Sequence, residues 1–502
     1  MSSFAELLTN SFVRYRGRTA LVHRGKSTSY GELNRRCELV AARLHAEGMR
    51  KGDRVVVLVQ DKFDLLICHL GIILAGGVSL PLNHQFTAAE LSYYLQDSGA
   101  RFALAGSNEA RTLESVRQST RLELLILDAG SISEYRTRFR GSSCSLSPKD
   151  FCLMLYSSGT TGQPKGVVHS HSNLAASLLA LQQCWQFTSD DILLNVLPLF
   201  HIHGLSFATH LALISGSCMI LEDKFHPLRT MEKIGKSTVF MAVPPIYYAF
   251  LRREEFAREA RGWGGVRLFT CGSAPIRTDT ITMLEDILGC HLVNRYGMTE
   301  SHVITSVPLD GHIIPGSVGL CLDGLQLRLV GKDGVELVPG GQDADQHPVV
   351  GEVRIRGENL FEHYWNRPEE TRNARDEQGF FCTGDLGFQD ANGQLTLVGR
   401  RSDLIITDGY NVYPSVVERV LNEHPDVLES AVVGVPDVRK GERVVCFVVL
   451  SGGASINALR GYSRERLVHY QRPVHYQVID TLPRNTMGKV IKRALRDSFD
   501  TE

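Results

Sequence analysis

Residues 156–166 read YSSGTTGQPKG, with two serines, two threonines, three glycines and one lysine in eleven positions. A glycine-rich turn aims backbone N–H groups at one point, hydroxyls add donors and Lys165 adds charge, a combination that suits phosphate oxygens. The spacing departs from GxxxxGK[ST], because Gly166 follows Lys165. GVVHS after the lysine reads as a strand, with a helix only from about Ser172, whereas a P-loop needs its helix directly after the lysine. Composition alone leaves two readings open, a solvated loop and a phosphate cradle.

Distant stretches supply complementary chemistry. YGMTE (296–300) sets an aromatic ring, a hydroxyl and a carboxylate on one turn after a strand. FCTGDLG (381–387) holds Asp385 in a tight glycine turn, where it can accept from ribose hydroxyls. GRRSDLIITDGYNVYP (399–414) offers Arg400, and PRNTMGKV (483–490) offers Lys489 on a loop before the last helix. Together they amount to an adenine platform, a metal carboxylate, a ribose acceptor and a mobile cation.

This set, in this order, resembles the adenylate-forming enzymes: acyl-CoA synthetases, adenylation domains of peptide synthetases and firefly-type luciferases. The resemblance runs from about residue 20 to 497. It implies an ATP-dependent acid–CoA ligase that uses ATP, Mg²⁺ and coenzyme A. Ser157, Ser158, Gly159, Thr160, Thr161, Gly162 and Lys165 would hold the β- and γ-phosphates. Glu300 would be the Mg²⁺ ligand, since magnesium takes one or two carboxylates plus phosphate and water. Tyr296 and Gly297 would lie at adenine, Thr299 near the α-phosphate, and Gly272, Ser273 and Ala274 of TCGSAP along the adenine and acid site. Asp385 and Arg400 would hold the ribose; a salt bridge at a domain boundary is the plainer reading. Lys489 would bridge the carboxylate and the α-phosphate as charge builds there. A swing of the small domain would then exchange Lys489 for the loop around Gly409. The hinge two residues after Arg400, usually Asp or Lys in the family, is Ser402 here, with Asp403 beside it.

HIH (201–203) follows a strand end. No third ligand is near the pair in sequence, so zinc is not expected. The resemblance puts this segment beside the acid pocket and thiol tunnel, with His201 the better candidate for a gate and core packing the alternative. HSH (169–171) reads as structural. Members that activate malonate-type diacids resemble FHIHG, GSAP, RYGMTE, NVYP and PRNTMGKV closely. Arg295, just before YGMTE, could pair with a second carboxylate or form a structural ion pair. Those members carry another Arg in the segment matching VPPIYYAFL (243–251), where this chain has Ala249 and Phe250, an apolar wall that suits fatty or aromatic acids. The expectation is a small or medium carboxylic acid, with malonate among the candidates. No carrier domain follows Glu502, so coenzyme A is the expected acceptor, ahead of a separate carrier protein. A nucleotide-binding regulator without activity is disfavoured by intact Lys165, Glu300, Asp385 and Lys489.

These residues need a large scaffold. The chain has 502 residues and a net charge of −1, too long for one core and too neutral for nucleic acid or a membrane surface to be drawn by bulk electrostatics. Eleven scattered cysteines without CxxC suggest reduced thiols, and the N-terminus lacks a signal-peptide core; a cytoplasmic location is expected. The apolar run 65–82 contains His69, glycines and Pro81 and divides into a helix and a strand, not a membrane span. Apolar strands alternating with helices predict an α/β fold of mostly parallel sheets. Hairpin signals from about 320 predict a β-rich subdomain to 399. The expected organisation is an adenylation domain over 1–399, a hinge at 400–403 and a mobile α+β lid over 404–502.

Overall fold

A computed structural model describes residues 2–130, 145–157, 163–344, 346–452, 455–484 and 490–499. VVVL becomes the strand Arg54–Leu58, an interior strand of a seven-stranded sheet. Parallel neighbours flank it, Val78–Pro81 on one side and Phe102–Ala105 on the other. Val55, Val56 and Val57 are fully buried, as expected for a strand covered on both faces. The run 65–82 divides as its glycines suggest. Helix Lys62–Leu74 starts at Asp61, whose carboxylate accepts from the Phe63 and Asp64 amides, and the strand Val78–Pro81 follows. Among the described residues no helix is long and apolar enough to cross a membrane.

Two antiparallel strands extend this sheet, Phe151–Ser157 and Lys165–Ser170, with Ser157 opposite Lys165. Gly166 packs closely there: a Cβ would stand 2.1 Å from the Met154 methyl, which would have to move, and 3.2 Å from the Trp365 Cβ. The helix begins only at His171, which separates this turn from a P-loop.

A second, nine-stranded sheet holds the parallel strands Ile192–Asn195, Cys218–Leu221, Val239–Ala242, Leu268–Cys271 and Leu292–Met298. His302–Ser306 pairs antiparallel with the last of these. One apolar core joins both sheets, with Val57, Leu66, Leu193 and Leu205 among its buried members. Burial of each such side chain contributes about 1.5–3 kcal/mol.

The texture change near 320 is a five-stranded antiparallel sheet ending in Phe381–Gln389 and Leu395–Arg400. Beyond it lies a small α+β domain. Val427–Asp437 and Gly441–Leu450 pair along their length, and Pro414–Asn422 and Ile456–Arg466 are its longer helices. Its first hairpin turns at Asp408-Gly409, both at positive φ (50° and 81°), the backbone that Asp-Gly favours. The molecule is thus a large N-terminal α/β domain with parallel sheets and a small C-terminal domain.

HIH does not continue a strand. The strand stops at Asn195, and His203–His210 forms a π-helix. The Asn195 side chain folds the chain back, accepting from the Leu197 amide at 2.9 Å and donating to the Gly204 carbonyl at 3.1 Å. Gly204 packs so tightly that a Cβ would lie 2.3 Å from the Pro198 carbonyl oxygen. Such widened turns recur at functional positions.

Candidate active site

The carboxyl ends of the second sheet and the start of the Ser157 turn meet at one place. The Ser157 hydroxyl donates to Glu300 at 3.4 Å, and the Tyr364 hydroxyl donates to the same oxygen at 3.1 Å. Glu300 is buried. Among the described residues no lysine or arginine lies within ion-pair distance of it, and burial pushes its carboxyl up. A buried carboxylate lacking a counter-cation fits a divalent ion. The Lys165 ammonium lies 5.2 Å from the centre of the Tyr364 ring, so Lys165, Ser157 and Glu300 all adjoin Tyr364. Ser158, Gly159, Thr160, Thr161 and Gly162 lie outside the described residues, as does Lys489.

The Tyr296 hydroxyl donates to Asp385 at 2.6 Å, and Arg400 pairs with the other oxygen of that carboxylate at 3.0 Å. The plainer expectation for Asp385 and Arg400, an ion pair, is therefore present, and Tyr296 joins it. An ionised carboxylate accepts about four hydrogen bonds, so two partners leave capacity for more. Gly297 lets the strand approach its neighbour: a Cβ would stand 2.2 Å from the His302 carbonyl oxygen. Thr299 is half-buried on the turn between them.

Gly272, Ser273 and Ala274 follow the strand Leu268–Cys271. Ser273 holds left-handed backbone at φ 72°, a costly conformation for a residue with a Cβ. Arg295 donates from Nη2 to the Ser273 hydroxyl at 3.3 Å, and that hydroxyl meets His203 Nδ1 at 3.2 Å. The serine oxygen can accept from Arg295 and either donate to or accept from His203, according to the imidazole tautomer. His203 Nε2, Arg295 Nε and His201 Nε2 are enclosed without a partner among the described residues. Arg295 is buried, with its guanidinium 4.8 Å from the centre of the Phe207 ring. Burial pushes its pKa down to about 10. No carboxylate within ion-pair reach among the described residues answers it, so the structural ion pair considered for Arg295 is absent. Burial lowers His201 to about 4 and holds His203 well below its usual value.

His203 was missed by sequence reasoning. A continuing strand would have set both histidines on one face, whereas the π-helix that starts at His203 turns it onto Ser273. The available signals were Asn195, Pro198 and Gly204, residues that end a strand and permit close turns. Phe250 is no pocket wall either. It is buried among Phe225, Phe240, Phe256 and Trp263, while Ala249 is half-buried.

A cavity of about 1000 Å³ lies alongside. Its walls include the ends of the first sheet's strands at Gln60, Asn83 and Gly106. They flank the crevice between Arg54–Leu58 and Phe102–Ala105, where chain order reverses and open α/β sheets take ligands. Phe200 also lines it, and the Phe200 and His201 rings lie 4.6 Å apart. Tyr296, Glu300 and Asp385 are not among its walls. Gly409 is exposed at its hairpin tip, and Ser402 sits in a short 3₁₀ turn with its hydroxyl 3.3 Å from Asp403.

The chain is similar to proteins of known activity. A mitochondrial malonate–CoA ligase from Bos taurus is 33% identical over 91% of this chain and 83% of its own length. A long-chain-fatty-acid–CoA ligase from Bacillus subtilis is 29% identical over 97% and 93%. The crystal structure of ATP-bound MatB from Rhodopseudomonas palustris superposes with a TM-score of 0.92, at 34% identity and 98% coverage of both chains. The model for the AMP-binding enzyme C-terminal domain matches residues 416–489. The model for the AMP-binding enzyme itself matches residues 8–365, and a match of that extent means that the chain belongs to the family of AMP-binding enzymes.

Proposed function

We propose that this AMP-forming acid–CoA ligase activates a small dicarboxylic acid of the malonate type. One observation carries the choice of acid: Arg295 is buried beside Ser273 and His203, with no carboxylate answering it among the described residues. A guanidinium in that state favours an anion that enters with its own charge. Arg295 Nε–H is a donor left for such a group, and His203 Nε2 is a second buried atom without a partner among the described residues. Relatives that act on malonate support the choice, and the fatty-acid ligase among them makes the acid a matter for experiment.

In this reading one carboxylate of the acid attacks the α-phosphorus of ATP and pyrophosphate leaves. The thiol of coenzyme A then attacks the acyl carbonyl and AMP leaves. Ser157 to Gly162 and Lys165 hold the β- and γ-phosphates. Tyr296, Gly297 and Gly272–Ala274 hold adenine, and Asp385 and Arg400 take the ribose hydroxyls. Thr299 stands near the α-phosphate. Glu300 would hold Mg²⁺, which neutralises phosphate charge when bound. Lys489 brings an ammonium to the oxygens where charge builds. His201, beside the cavity lined by Phe200, gates the route of the thiol, and the loop at Gly409 replaces Lys489 for the second half.

That exchange requires a boundary at 399, a hinge at 400–403 and a lid over 404–502. The antiparallel sheet ending at Arg400 and the next strand starting at Ile405 support it. Ser402→Pro should spare adenylate formation and slow thioester formation. A cytoplasmic location is supported by the free thiols among the described cysteines, and cell fractionation tests it. The test of the acid is a panel assayed for ATP- and CoA-dependent AMP release. Malonate or methylmalonate should exceed hexanoate and benzoate; a preference for either of the latter two refutes the dicarboxylate.

A further inference from the structure

His169, within the HSH stretch first taken as structural, sits fully buried in the strand Lys165–Ser170. Its Nε2 lies 2.9 Å from the Thr299 carbonyl oxygen. A carbonyl only accepts, so Nε2 carries the proton and donates. One face of the ring stacks on His302, with centroids 4.5 Å apart and planes 19° from parallel.

His302 is itself an unfavourable placement. It is buried, holds left-handed backbone at φ 60°, and has no partner at either ring nitrogen among the described residues. Strained backbone and orphaned polar atoms both oppose such an arrangement. The contacts that favour it are the stack on His169 and an edge-to-face contact with Phe207 (6.0 Å, 82°). Phe207 in turn carries the Arg295 guanidinium. A file of packed groups therefore runs from Arg295 to the Thr299 carbonyl.

Successive carbonyls on this turn are each held. Met298 accepts from the Ser301 amide at 3.3 Å, Glu300 from the Phe361 amide at 2.7 Å and Ser301 from Asn359 Nδ2 at 2.5 Å. Thr299 accepts from His169. Its carbonyl belongs to the peptide plane that leads into the Glu300 Cα, so rotation of that plane swings the Glu300 carboxylate. We propose that His169 is a positioning residue that fixes the Thr299–Glu300 peptide plane, with His302 as the plate that sets its ring angle. The inference rests on the reading of Thr299 and Glu300 given above.

The test compares wild type, His169→Leu and His169→Gln as full-length proteins. ATP binding is measured by calorimetry with Mg²⁺ and with EDTA, and malonate-dependent pyrophosphate exchange is measured alongside. Leucine removes the donor and should weaken Mg²⁺·ATP binding about tenfold, lower kcat by about 10–100-fold, and leave ATP binding in EDTA and the KM for malonate unchanged. Glutamine keeps an N–H donor and should recover both losses to within about threefold. Wild-type Mg²⁺·ATP affinity in H169L, or H169Q as impaired as H169L, overturns the proposal. Should H169L fail to fold, nitrogen-15 histidine spectra of the wild type decide, with H169Q identifying the signal: an Nε2–H tautomer supports the proposal and an Nδ1–H tautomer overturns it. Glu300→Gln separates the two ideas, because undiminished Mg²⁺ dependence there refutes the role of Glu300 whatever the His169 variants do.

Discussion

Arg295 donates to the Ser273 hydroxyl at 3.3 Å from a buried position, and among the described residues no carboxylate neutralises it. A buried guanidinium held by one hydroxyl and an aromatic face is costly unless a ligand completes it. Arg295→Met should therefore lower kcat/KM for malonate about 100-fold while changing that for butanoate only slightly. Equal losses for both acids would make Arg295 a structural residue.

In the proposed mechanism Lys489 serves only the first half-reaction. Lys489→Ala should slow malonate-dependent pyrophosphate exchange about 10²–10³-fold. The same variant, supplied with preformed acyl-adenylate and CoA, should make thioester near the wild-type rate. A matching loss in both assays would contradict a lysine that leaves before the thiol arrives.

Buried imidazoles make stability depend on pH. His69 is lowered to about 3 and His169 and His171 to about 4, each chiefly by burial. Between those values and about 6.5, the unfolded chain binds protons that the folded chain refuses. Stability therefore falls as pH drops from about 6.5 toward 4 and is fully regained above that window, by up to about 1.4 kcal/mol per histidine per pH unit. Urea unfolding should show a lower midpoint at pH 5.5 than at pH 7.5; equal midpoints would contradict neutral, buried rings.

Gly297 is a steric requirement. A Cβ there meets the His302 carbonyl oxygen at 2.2 Å and the Val303 Cα at 2.8 Å, backbone atoms that cannot rotate aside. Gly297→Ala should cost about 1–3 kcal/mol of stability and weaken Mg²⁺·ATP binding, because the turn carrying Glu300 must shift. An unchanged melting temperature and affinity would show that the two strands separate freely.

Much of this was legible from local signals. Val55–Val57 are continuously apolar and became a buried strand. Asp408-Gly409 demanded positive φ and became a hairpin. The glycine and hydroxyl cluster before Lys165 announced a phosphate cradle without settling it. Relationships across the chain had no local signal: Ser157 and Glu300 are 143 positions apart and Tyr296 and Asp385 are 89, no periodicity reports such meetings, and only the family resemblance grouped these residues. Phe250 was misread for a helical reason. In Pro244–Leu251 it shares a face with Ile246 and Tyr247, and that face packs on the core. His203 was overlooked because its partner Ser273 lies 70 positions away and the π-helix that brings the two together leaves no local periodic signal.

The most direct measurement is a crystal structure with a stable malonyl-adenylate analogue bound. The free carboxylate should lie about 3 Å from the Arg295 guanidinium, with the adenine against Tyr296 and the ribose hydroxyls at Asp385. A free carboxylate turned to solvent, with Arg295 still touching only Ser273 and Phe207, would contradict the dicarboxylate reading.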